Sequence, residues 1–192
     1  MNLRLDTTTE PIQSAAYTIR RGTPADAADL ASFAARTFTD TYGDYNSPAN
    51  LAMHLTSTYN VAQQTRELSD AGVATLLAHQ YTDLVAYAQV RNGPPPPCVG
   101  GAEPVELLRF YVDKSRHGDG LAQRLFEEAR RAAVALGGVT LWLKVWERNP
   151  RAIAFYRKCG LVDVGVAEFF VGTDRQTDRV LAMNLRDSRA PS

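Results

Sequence analysis

Cysteine is scarce in this sequence. Cys98 and Cys159 are the two among 192 residues, with no CxxC spacing and no neighbouring His cluster. That excludes a cysteine-built structural metal centre, and both are expected as reduced thiols. An excess of one charge is lacking as well, because Lys plus Arg and Asp plus Glu each total 21. Without a basic surplus, nonspecific nucleic-acid binding through phosphate neutralisation has no driving force, so no nucleic-acid partner is expected. No apolar run approaches the roughly 20 residues that span a bilayer, and the first eight residues, Met1 to Thr8, contain no secretory h-region. No membrane partner and a cytoplasmic location are the expectation. Internal repeats and shifts of composition are also missing, and the length suits one domain whose core needs no disulfide. The polar, aperiodic ends at residues 1–15 and 187–192 are expected to be tails around a domain at 16–186.

What is present is punctuated. Leu107 to Val112 is apolar and aromatic enough for a mostly buried strand, and Gly118 and Gly120 remove side chains where the backbone turns. From Leu121 a helical period begins, with Leu125, Ala129, Ala132 and Leu136 on one stripe and Gly137-Gly138 as the stop. A helix N-terminus after glycines presents unpaired N–H groups and the positive end of the helix dipole, which suit a phosphate or pyrophosphate. Lys114 and Arg116 add positive charge nearby. An ordinary strand-to-helix turn explains the glycines equally well.

Upstream, Tyr17–Arg21 alternates like a strand, and Thr23-Pro24-Ala25-Asp26 opens a helix to about Phe38. Thr37 to Asn46 is expected as an aromatic and acidic connector. Ser47-Pro48 starts a second helix with Leu51 and Leu55 on one face, and Val61 to Leu68 forms a third. Val73 to His79 and Leu84 to Val90 are expected as a hairpin, and Gly93 to Gly101, with Pro94 to Pro97, as a surface loop. Downstream come a strand at Val139 to Val145, a helix at Pro150 to Lys158, and strands at Leu161 to Val166 and Val180 to Asn184. The order predicts an α/β sandwich with a mixed sheet.

A second stretch runs from Val145 to Leu161. Asn149 is a good N-cap and Pro150 a good first helical residue. Tyr156 follows Asn149 by about two turns, so the two project on one side, although core packing beside Phe155 would equally use an aromatic.

With both stretches present, the chain resembles the GNAT acetyltransferase superfamily. That superfamily's coenzyme loop, [QR]-x-x-G-x-[GA], corresponds to His117-Gly118-Asp119-Gly120-Leu121-Ala122. Its later N-x-x-A-x-x-x-Y-x-x-x-G-[FL] element matches Asn149, Ala152, Tyr156, Gly160 and Leu161. His117 departs from the usual Gln or Arg, and Asp119 is unfavourable beside phosphate unless it points to solvent. Within the superfamily the chain is similar to bacterial polyamine (spermine/spermidine) N-acetyltransferases at Phe38 to Thr41, Asn46 to Pro48 with Asn50, Val145 to Glu147, Ala152 to Tyr156 and Gly172 to Asp178. Thr173 stands where those relatives tend to carry an acid, and Pro94 to Pro97 lengthen a loop.

The resemblance implies a single-domain GNAT-like fold, with a mixed, mostly antiparallel central sheet, a splay between two central strands, and helices on both faces. It implies acetyl-CoA as co-substrate, with no metal. The pyrophosphate would sit on Arg116, His117, Gly118, Asp119, Gly120, Leu121 and Ala122. Backbone N–H groups of Phe110, Tyr111 and Val112 would meet the pantetheine and the thioester carbonyl, with Asn149 and Tyr156 beside them. Tyr156 would assist departure of the thiolate. Glu106 occupies the place of a catalytic glutamate acting through water; a solvent-facing strand end is its alternative.

The implied acceptor is a small primary amine, polyamine-like, for which Asp40, Asp44 and Glu168 offer carboxylates; solvated surface acids are the alternative for these three. An alkylammonium resembling Lys is neutral at pH 7 only at a cost of about 4.6 kcal/mol, so a base or proton wire would help. A protein N-terminus, a lysine, an amino-bearing antibiotic, or a noncatalytic acyl-CoA sensor remain the competing readings. A homodimer is compatible with all of them.

Overall fold

The computed structural model describes residues 17–186; the two expected tails lie outside the described residues. Strands β1 (Tyr17–Arg21), β2 (Val73–Gln80), β3 (Asp83–Asn92) and β4 (Pro104–Val112) lie side by side, each antiparallel to the next. Strand β5 (Thr140–Trp146) runs parallel to β4, since helix α4 (Leu121–Ala135) carries the chain back between them. Strands β6 (Val162–Val171) and β7 (Asp174–Asn184) form a hairpin whose second strand pairs with β5, giving the order β1-β2-β3-β4-β5-β7-β6.

The parallel join is short. Only Pro104, Val105 and Glu106 pair with Thr140, Leu141 and Trp142. Beyond them Leu107–Val112 and Leu143–Trp146 share no ladder, which is the splay the resemblance implied. A register shift opposite Gln89 and Val90 leaves Leu108 as an extra residue in β4 at this point. Such a bulge bends a strand and increases its twist, so β4 turns away from β5 where the splay opens.

Period-two alternation sorts the sheet into two faces. Leu141, Leu143 and Val145 pack with Leu121, Leu125, Phe126 and Ala129 beneath α4 and α5 (Pro150–Lys158). The opposite face of the sheet carries α1 (Ala27–Tyr42), α2 (Pro48–Thr58) and α3 (Val61–Ser69), with Leu30, Phe33, Phe38, Tyr59, Leu77, Tyr87 and Val171 as its core. Side-chain caps start three helices: Ser47 accepts from Asn50 N at 3.2 Å, Asn60 from Gln63 N at 2.8 Å, and Asn149 from Ala152 N at 3.1 Å. Among the described residues no helix is long and apolar enough to cross a membrane.

Three expectations are corrected. Helix α1 does not stop near Phe38 but runs to Tyr42. Phe38 is buried, and Thr37 and Thr41 turn their hydroxyls back onto Phe33 O and Thr37 O, at 2.9 and 2.8 Å, which removes their competition with the helix. Strands β6 and β7 are longer than their apolar runs, since exposed Arg175 and Thr177 alternate with inward residues. The loop at 93–101 lies at the surface as expected but is not a free excursion, because Cys98 and Val99 pack over Trp142, Val180 and Ala182.

Candidate active site

The splay opens into a cavity of about 360 Å³. Phe110, Tyr111 and Val112 line it from β4, Lys144 and Val145 from β5, Asn149 from the cap of α5, and Ala152, Phe155 and Tyr156 from α5 itself. Asn149 and Tyr156 therefore do share a side. The Tyr156 ring lies edge-on to Phe110, with centroids 6.1 Å apart. Burial, reinforced by Tyr42 and Cys159, pushes its hydroxyl pKa well up, so it stays a neutral hydrogen-bond donor. Tyr42, pushed up to about 12 mainly by burial with Asn149 and Tyr111 pulling the other way, lines the cavity from α1.

At the mouth of the cavity the glycine turn has the geometry its residues demand. Gly118 and Gly120 have φ of +97° and +84°, and a Cβ at either would meet no atom within 4 Å, so the backbone faces open space. Ala122 lines the cavity, and the first-turn N–H groups of α4 are available there by helix geometry.

Asp119 resolves its apparent conflict with phosphate by facing the protein. One oxygen accepts from Leu121 N at 3.1 Å, and the other is hydrogen-bonded by the Tyr17 hydroxyl, which pins the turn to β1. His117 sits with Nε2 3.1 Å from Val112 O, and burial, with Arg151 and Lys114 adding to it, lowers its pKa, so the ring is neutral. Lys114 donates to Asp40 O at 2.6 Å. Phe110, Tyr111, Val112, His117, Ala122, Asn149, Tyr156 and Asp40 are thus brought together. Arg116, Gly118, Asp119, Gly120 and Leu121 flank this cavity without lining it, and the Leu121 side chain is fully buried in the core.

A second, inner cavity of about 220 Å³ lies on the other side of the splay and shares Tyr42, Leu108, Arg109, Tyr111 and Lys144 with the first. Its walls are aromatic: Phe38, Tyr42, Tyr59, Tyr111, Trp146 and Phe169. Glu106 lines it at 2 % exposure, so the solvent-facing alternative is wrong. Arg91 donates Nε and Nη2 to one Glu106 oxygen, each at 2.7 Å. Arg109 is held by Glu67 and by Gln89 Oε1 at 2.6 Å.

The other expected acids do not gather here. Asp44 is exposed and lines neither cavity. Glu168 is also exposed, pairs with Arg175 at 3.0 Å and likewise lines neither. Asp40 lines only the outer cavity, its carboxylate 3.9 Å from Arg36.

The sequence reading passed over Asp178 and Lys144. Asp178 is 5 % exposed, lines the inner cavity and leaves Oδ1 without a hydrogen-bond partner. Burial pushes its pKa up to about 6, against the pull of Lys144 and with help from Glu147. The available signals were an acid at an inward position of an alternating strand and a lysine inside Leu141-Trp142-Leu143-Lys144-Val145-Trp146.

The family model for the GNAT acetyltransferases matches residues 31–161. The chain belongs to the GNAT acetyltransferase family. It is therefore an acetyl-CoA-dependent N-acetyltransferase. A GNAT relative from Lactobacillus delbrueckii subsp. lactis, an uncharacterized N-acetyltransferase in the pepI 3′ region, is 32 % identical over 156 residues, covering 80 % of this chain and 90 % of its own. An uncharacterized N-acetyltransferase of Mycobacterium bovis is 30 % identical over 160 residues, covering 83 % and 98 %. The crystal structure of PaiA N-acetyltransferase from Thermoplasma acidophilum, in complex with coenzyme A, has the same GNAT fold, with a TM-score of 0.70 at 19 % identity over 88 % of this chain and 99 % of that one. The acetyltransferase YncA from Salmonella typhimurium, solved with its cofactor acetyl-CoA, gives 0.62 at 20 % identity over 92 % and 98 %.

Proposed function

We propose that this chain transfers the acetyl group of acetyl-CoA to a small primary amine by direct attack of the amine nitrogen on the thioester. The observation that carries the reading is the pair of cavities meeting at the splay, one reaching the glycine turn at His117 and Ala122, the other walled by aromatic side chains. Acetyl-CoA lies in the outer cavity, its pyrophosphate at the turn between Arg116 and Ala122 and its pantetheine along Phe110, Tyr111 and Val112. Strand N–H groups freed by the lost β4–β5 ladder meet the thioester carbonyl and stabilise the oxyanion formed on attack. The amine enters from the inner cavity. Tyr156 holds a hydroxyl toward the departing sulfur. Because its pKa is raised, it stabilises the thiolate by a hydrogen bond rather than by giving up its proton.

The polyamine-like acceptor suggested by the similar segments enters the same proposal as one class of amine. Its support is Asp178 at the inner cavity; Asp40 lines the outer cavity, where the coenzyme is placed. Asp44 and Glu168 take no part in it. Thr173, at the position where an acid would sit, instead donates its N–H and hydroxyl to Asn50 Oδ1 at 3.1 and 3.0 Å, fastening the β6–β7 turn to α2.

The test is release of free thiol from acetyl-CoA with spermidine, 1,4-diaminobutane, 2-phenylethylamine, a lysine peptide and an aminoglycoside. Thiol release with a small amine, matched by the N-acetyl product, is the expected result. Tight acetyl-CoA binding with no thiol released for any acceptor would replace the enzyme by a coenzyme sensor.

A further inference from the structure

Two carboxylates line the inner cavity, and they differ in what they already hold. Glu106 is engaged by both donors of Arg91 on one oxygen. Among the described residues no cation pairs with Asp178, and its buried Oδ1 receives no donor. A buried acceptor without a donor is costly, so a folded chain that keeps one leaves room for a partner it does not itself supply. The walls around it specify that partner's sign. Tyr42 and Trp146 line the cavity with aromatic rings, which attract a cation and shield it from water, while Phe169 already carries Lys144 over its ring and Phe38 stacks on His54. Trp146 is the cross-strand partner of Asp178, which places the carboxylate beside that ring.

We propose that Asp178 is the subsite for the acceptor's ammonium group and takes its proton before the nitrogen attacks. This deepens the N-acetyltransferase reading and rests on it. One N–H bond of the ammonium breaks, its proton passes to the Asp178 carboxylate, and the nitrogen keeps the electron pair. That pair forms the C–N bond to the acetyl carbon, and the C–S bond breaks with its electrons on sulfur. A second nitrogen proton ends on that sulfur as the thiol, and Asp178 returns its own to solvent.

Burial suits Asp178 to this step. Raised to about 6, it is a stronger proton acceptor than a solvated carboxylate and still ionised at neutral pH. Lys144 on β5 opposes the rise and Glu147 just beyond β5 supports it. Glu106 and Arg109 from β4, His54 from α2 and Tyr42 from α1 face the same cavity. Glu106 and Arg109 are each already paired, and burial lowers the pKa of His54, whose ring stacks on Phe38, so it is a weaker base than a solvated imidazole.

The experiment is the pH dependence of kcat/KM for the best amine of the panel, at saturating acetyl-CoA, in wild type, Asp178→Asn and Asp178→Glu. In wild type, activity falls as pH drops through about 6, because a protonated Asp178 accepts nothing. If ammonium is the bound form, kcat/KM levels off above that limb instead of climbing toward the amine's own pKa near 10.4. Asp178→Asn loses about 100-fold or more in kcat/KM for the amine and loses the limb, while KM for acetyl-CoA and the melting temperature hold; Asp178→Glu recovers part of the rate. An Asp178→Asn enzyme within about threefold of wild type, or one that keeps the limb, overturns the proposal. So does a limb abolished by Glu106→Gln. If wild type releases no thiol with any amine, the function fails separately, and melting in 2-phenylethylamine or spermidine decides the subsite: a rise in wild type that Asp178→Asn lacks upholds it, and equal responses overturn it.

Discussion

At the scale of single residues, the site is built by taking ordinary side chains out of water. Tyr156 and Tyr42 are held neutral by burial, and Asp178 is made a better base by the same means. None of these shifts is readable from a residue's neighbours in sequence, because each depends on what packs from other elements. In the proposed mechanism Tyr156→Phe removes one hydrogen bond to the departing sulfur and leaves the ring contacts with Phe110 and Phe126 in place. It is expected to lower kcat by about tenfold, near 1.4 kcal/mol, with acetyl-CoA affinity almost unchanged. Steady-state kinetics beside a direct binding titration checks this, and unchanged turnover removes Tyr156 from the mechanism.

At the scale of elements, caps and glycines were legible, and connectors were not. Ser47, Asn60 and Asn149 start helices because short polar side chains reach first-turn N–H groups, a local rule that sequence states openly. The 93–101 loop was legible as a surface loop but not as cover, since prolines announce an extended path without saying what it covers. Cys98 and Val99 lie on Trp142, Val180 and Ala182, a cluster that touches neither cavity. Val99→Asp sets a charge against that indole and is expected to cost about 2 kcal/mol. Thermal melting should fall by several degrees and Trp fluorescence shift to the red, with KM for acetyl-CoA unmoved; an unaltered melting curve would show the loop to be dispensable cover.

At the scale of the whole molecule, the sheet is interrupted where it works. Antiparallel pairing holds β1 to β4 on one side and β5 to β7 on the other, and three residue pairs between β4 and β5 join them. In the proposed binding mode, acetyl-CoA seated in the splay substitutes for the missing ladder. At about 100 times its Kd the coenzyme should add roughly 2.7 kcal/mol of stability. Hydrogen exchange should slow most at Phe110 to Val112 and at Lys144 to Trp146, on either side of the gap. Protection spread evenly over β1 and β2 instead would place the coenzyme elsewhere.

The sequence by itself determined the element order, the helix starts, the mixed α/β class, the glycine turn before α4 and the Asn149–Tyr156 pair, because each rests on periodicity or on chemistry within a few residues of chain. Only the tertiary structure decided which acids share a cavity. Asp44 and Glu168, candidate substrate ligands with solvated surface acids as the alternative, stay at the surface, while Asp178, singled out only as the end of a segment similar to polyamine acetyltransferases, is buried and lines the inner cavity. The physical reason is that a carboxylate's chemistry is set by desolvation and by charges brought from distant strands. Lys144, Glu147 and Asp178 lie close in space through the register of β5 on β7, a pairing that no local pattern specifies.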